Sequence, residues 1–230
     1  MSYKKVALAL VALAGIGVII ILVKSNSLNI KQIECFTQFG PCNSNFSHKA
    51  QFLIGRPIYL PLPKSQIAQE LSGDPAVAEV AVYRRLPDTV VLGVTLRRPV
   101  AAVLGSSTEA GQIGVVDDQG MVFNTTDRTG LPIMTVGDDV KVGTKLSPIQ
   151  ISGAKLLARV SSILQIPVKG YIQGTNLVIA LPNSGQLILD AATGNLHWED
   201  SLQAIWARSK IDGKIPRKID LRFSSPAVTF

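Results

Sequence analysis

Ser152 and Lys155 stand at Ser-x-x-Lys spacing, which on a helix would set a nucleophile and a base one turn apart. Such a lysine must be buried to give up its proton. Lys155 shares the polar side of its helix with Arg159, so the pair reads as a solvated face. Asp117 and Asp118 could act as a carboxylate pair for acid–base work, but neighbours on a hairpin point to opposite sides. Followed by Gln119-Gly120, they read better as a turn. His48 and His197, the two histidines, are far apart in the chain and read as surface or capping residues. With no convergent set of titratable groups, the chain is expected to be no enzyme. It is also expected to carry no cofactor and no bound metal.

Cys35 and Cys42 are the two cysteines. In an oxidising compartment they can pair across a short loop, worth at most about 2–3 kcal/mol; otherwise they are two thiols. Zinc is disfavoured, because no second Cys or His pair accompanies them at ligand spacing. Arg84, Arg85, Arg97 and Arg98 form two basic doublets that could anchor a partner or lipid headgroups, and that also read as solvated strand ends. The net charge is +7, yet the basic residues are scattered and not interleaved with aromatics, so no nucleic acid partner is expected.

These groups must be positioned by elements whose order the sequence suggests. The block from Val6 to Val23 holds no charge, Asn, Gln or Pro. Its eighteen residues would span about 27 Å as a helix, close to a bilayer core, and Lys4 and Lys5 precede it. The expectation is an uncut, single-pass transmembrane helix contacting the lipid bilayer. Residues 1–5 would stay in the cytoplasm and the remainder would lie outside. Beyond it, residues 28–35 read as a strand, and 43–52 and 63–72 as helices, the second carrying Ile67, Ala68 and Leu71 on one face. Residues 77–83 and 89–96 then read as a hairpin joined through Arg84 to Asp88. A sheet covered by two helices follows, since each apolar face needs the other.

After Arg97-Arg98-Pro99, short strands are expected at 100–104, 114–116, 121–124 and 131–136. A helix at 148–164 bears Ala154, Leu157, Val160 and Leu164 at three- and four-residue steps. Strands at 170–173, 177–180 and 186–190 form a meander, and a helix at about 196–209 presents Trp198, Leu202 and Trp206. Residues 218–223 close the chain as a strand. A last strand often lies at a sheet edge, where unpaired backbone can accept another chain's strand.

Three stretches occur in order: Asp74-Pro75-Ala76-Val77 through Arg84-Arg85-Leu86-Pro87 to Arg97-Arg98-Pro99-Val100-Ala101; then Val116-Asp117-Asp118-Gln119-Gly120-Met121-Val122-Phe123; then Ile219-Asp220-Leu221-Arg222-Phe223. Together they resemble the FtsQ/DivIB family of bacterial cell-division proteins over nearly the whole chain. The resemblance implies an α+β fold: a single N-terminal transmembrane helix, a POTRA domain at 28–98 of order β-α-α-β-β, and a mixed β-domain with two helices at 99–223, with 224–230 as a tail. The Cys35 to Cys42 stretch departs from the family, standing in place of a short Gly-containing turn. The resemblance further implies a non-catalytic scaffold at the division septum of the bacterial inner membrane, with FtsB/FtsL-type coiled-coil proteins and other divisome membrane proteins as partners. Leu221, Phe223, Ser225 and Phe230 would fall on the partner-binding surface, with Arg84 and Arg85 on a recruitment surface. The alternative is a POTRA-bearing adaptor of protein export or envelope assembly.

Overall fold

The computed structural model describes residues 28–105, 113–192 and 198–230. The chain separates between Leu96 and Arg97 into two compact units.

The first unit holds β1 (Gln32–Thr37), β2 (Gly40–Pro41), α1 (Ser44–Lys49), a 3-10 turn (Gln51–Leu53), α2 (Lys64–Ser72), β3 (Val77–Arg85) and β4 (Thr89–Leu96). Its sheet runs β2-β1-β4-β3, with β1 parallel and β3 antiparallel to β4. Alternation along β4 explains the layering: Val90, Leu92 and Val94 are buried while Thr95 is exposed, since successive side chains leave opposite faces. Ile67 and Leu71 of α2 are fully buried in the same cluster, one helical turn apart. Asn43 caps α1, its side chain accepting from the Asn45 amide. Cys35 and Cys42 are joined as a disulfide, with Cα atoms 5.2 Å apart, which ties the stretch after β1 back onto it.

The second unit holds β5 (Ala101–Leu104), β6 (Ile113–Val116), β7 (Val122–Thr126), β8 (Ile133–Thr135), α3 (Pro148–Leu164), β9 (Lys169–Gln173), β10 (Asn176–Leu181), β11 (Gly185–Asp190), α4 (Trp198–Asp212), β12 (Lys218–Asp220) and β13 (Ala227–Thr229). Nine strands form one mixed sheet in the order β13-β12-β11-β10-β9-β8-β5-β6-β7. Pro148 opens α3, and Gln150 Oε1 accepts the Ser147 amide at 2.9 Å, half of a capping box. Ala154, Leu157, Val160 and Leu164 of α3 join Trp198, Leu202 and Trp206 of α4 in one core with the sheet. Each fully buried aliphatic side chain there contributes about 1.5–3 kcal/mol. Gly153 lets α3 approach closely: a Cβ there would lie 2.7 Å from Ile172 Cδ1.

The expected fold class needs correcting. The chain is α+β, with four helices and two mixed sheets among the described residues. No helix among them is long and apolar enough to cross a membrane. The longest, α3, has 17 residues and is amphipathic, with Gln150, Ser152, Lys155 and Arg159 along it. The block from Val6 to Val23, on which a transmembrane helix and a bilayer contact were expected, lies outside the described residues. Two strands also appear that the sequence pattern did not suggest, β2 and β13.

Candidate functional site

The C-terminal edge of the nine-stranded sheet gathers most of the residues the sequence singles out for partner binding. β12 runs parallel to β11, with Ile219 opposite Leu187, because Ile219 and Leu187 are both apolar and fully buried. The strand ends at Asp220 and not at Phe223, and the reason is a local polar trap. Asp220 Oδ1 accepts from Arg222 Nε at 2.9 Å and from the Arg222 amide at 3.2 Å, while Oδ2 accepts from Arg222 Nη2 at 2.7 Å. A carboxylate that captures the backbone two residues on makes a turn and ends the extended run. These Arg222 contacts hold the Asp220 carboxyl below the usual carboxylate range, with a smaller Coulombic contribution from Lys218, against the opposing pull of burial.

Past the turn the Arg222 guanidinium sits 5.3 Å from the centre of the Phe223 ring. The chain then reverses, and β13 pairs antiparallel to β12 with Val228 opposite Ile219. Residues 218–223 therefore do not form the open edge. The chain's own last residues cover β12, and β13 is the terminal strand of the sheet. Phe223 and Phe230 are exposed, at 61% and 58%, and Ser225 is exposed beside them in sequence. Leu221 differs: its amide donates to the Ile188 carbonyl and its side chain is 1% exposed. It belongs to the core beneath the edge and presents nothing at the surface. A signal for β13 was available in the β-branched Val228-Thr229 after Pro226, but three residues are too few for a periodicity.

Several of the remaining singled-out residues have structural partners. Arg84 Nη2 donates to the Leu60 carbonyl at 2.7 Å, and Arg85 Nη1 donates to both Glu34 carboxylate oxygens at 2.8 and 2.7 Å. Both arginines stay exposed but are already engaged. Asp117 is 4% exposed and pairs with Arg97. Its Oδ1 accepts the amides of Gln119 and Met121, which fixes the turn into β7, while Asp118 points outward. Gly120 completes that turn at φ +75°, where a Cβ would lie 2.3 Å from Ile151 Cγ1. The Ser152 hydroxyl donates to the Ala191 carbonyl at 2.6 Å, and Lys155 is exposed. His48 is exposed and His197 lies outside the described residues. Among the described residues no three His, Cys, Asp or Glu side chains gather as a metal site.

No protein-family model matches the chain, and no curated protein sequence matches it significantly.

Proposed function

We propose that the chain is a non-catalytic, partner-binding scaffold of the bacterial division machinery, working at the outer face of the cell membrane at the septum. FtsB/FtsL-type coiled-coil proteins and other divisome membrane proteins are its partners. The observation that supports this reading best is the C-terminal sheet edge: a nine-stranded sheet closed by a three-residue strand, flanked by exposed Phe223, Ser225 and Phe230. Backbone hydrogen bonds from a sheet edge give affinity, and exposed aromatics beside it give anchors. The three ordered sequence stretches that resemble the FtsQ/DivIB family supply the link to division.

A fluorescent fusion should concentrate at midcell, and depletion of the protein should yield filaments that grow without septa. Normal septation after depletion sinks the proposal.

A further inference from the structure

The end of α3, the Pro182–Ser184 3-10 turn and the C-terminal half of α4 border an open cleft of about 500 Å³, lined by Leu164, Ile166, Pro182, Trp206, Lys210 and Ile215 among others. None of its lining residues belongs to β12 or β13, so it is separate in composition from the sheet edge. Its walls are mostly apolar, and the charges along its rim that are not paired with one another are basic. Lys210 lines it directly, and Lys214 stands between two lining residues, Gly213 and Ile215. Lys210, Lys214 and the nearby Arg217 are all exposed. The one carboxylate on this stretch of α4, Asp212, is already taken by Arg208 Nε at 2.7 Å. No acidic residue lines the cleft.

Trp206 forms part of the wall. It is 8% exposed, and its indole Nε1 is sealed with no hydrogen-bond acceptor among the described residues. A buried donor left unmade is costly, and native folds leave few of them. Ser209 beside it donates its hydroxyl to the Trp206 carbonyl at 2.9 Å.

We propose that this cleft receives an acidic peptide segment: one aliphatic or aromatic side chain seats between Leu164, Ile166, Trp206 and Ile215, and flanking carboxylates meet Lys210 and Lys214. An apolar anchor in a concave pocket with complementary charge at its rim is the usual division of labour in such binding, the anchor giving affinity and the rim giving rate and selectivity.

The test uses the purified full-length chain and a short synthetic peptide rich in Glu with one central Leu, read by peptide fluorescence polarisation and by tryptophan emission. The Glu-rich peptide should bind, with weaker binding at high salt and a change in tryptophan emission. Replacing its Leu by Ala should abolish the signal. The double variant Lys210→Glu, Lys214→Glu alters exposed residues alone and should raise Kd about tenfold, as reversing two rim charges would. Failure of the Glu-rich peptide to bind overturns the assignment. Equal binding of a Lys-rich counterpart, or an unchanged Kd in the double variant, does the same. Self-association of the chain that disappears in the double variant would make a second copy the occupant, and would also overturn it. None of these readouts depends on a role in division.

Discussion

At the scale of single residues, Asp220 ties pH to the integrity of the sheet edge. Its carboxyl is held low chiefly by hydrogen bonds from Arg222, so the ionised form is favoured by folding. Stability from this source is fully present above the ordinary carboxylate value, about 4, and is lost as pH falls through the lowered folded value. The melting temperature of the second unit should therefore drop on acidification, and Asp220→Asn should make that acid slope shallower; equal slopes in the two proteins would contradict the role given to Asp220. Gly120 is the other decisive residue. An alanine there meets both a left-handed φ and the Ile151 side chain, so Gly120→Ala should cost about 2–4 kcal/mol in denaturant unfolding. The sequence flagged this residue as part of a turn, but the pressure from Ile151 of α3 could be seen only once the helix was laid across β5, β8 and β9.

At the scale of elements, β13 is the least expected and the most consequential. Its three residues contribute few hydrogen bonds and one half-buried side chain, Val228, packed against the core. Thr229→Pro removes an amide on the side of β13 that faces β12 and fixes φ, which is incompatible with that pairing. Circular dichroism of the variant should keep its native shape while the melting temperature of the second unit falls by about 4 °C, equivalent to roughly 1 kcal/mol for a unit of this size. With β12 uncovered, the variant should also self-associate in sedimentation, because an unpaired edge recruits other strands. Unchanged melting together with unchanged sedimentation would mean that β13 covers nothing of consequence. The helices behave differently. Both α3 and α4 were readable from apolar spacing, since a stripe recurring every three to four residues survives any tertiary arrangement.

At the scale of the whole molecule, the chain is two units with separate cores, and the disulfide belongs to the first of them. Cys35 and Cys42 close a short loop, worth about 2 kcal/mol by the chain-entropy argument. A reductant should lower the unfolding transition of the first unit and leave that of the second in place, as followed by scanning calorimetry. A single transition that moves as a whole would show that the two units unfold together. The basic doublets illustrate the same separation: Arg84 and Arg85 are engaged by Leu60 and Glu34 of the first unit, and Arg97 by Asp117 of the second.

Local residue patterns carry the periodic features: the strand alternation of β4, the apolar stripes of α2, α3 and α4, the turn at Asp117 to Gly120, and the break near Arg97. Each is set by contacts within a few residues, so composition and spacing carry it. Which residues lie at the sheet's end depends on long-range packing. Ile219, Leu221 and Phe223 look alike in sequence, yet Leu221 is buried and Phe223 exposed, because Asp220 captures Arg222 and turns the chain between them. The tail then folds back over β12, and that pairing is a long-range hydrogen-bonding choice of three residues which no local pattern records.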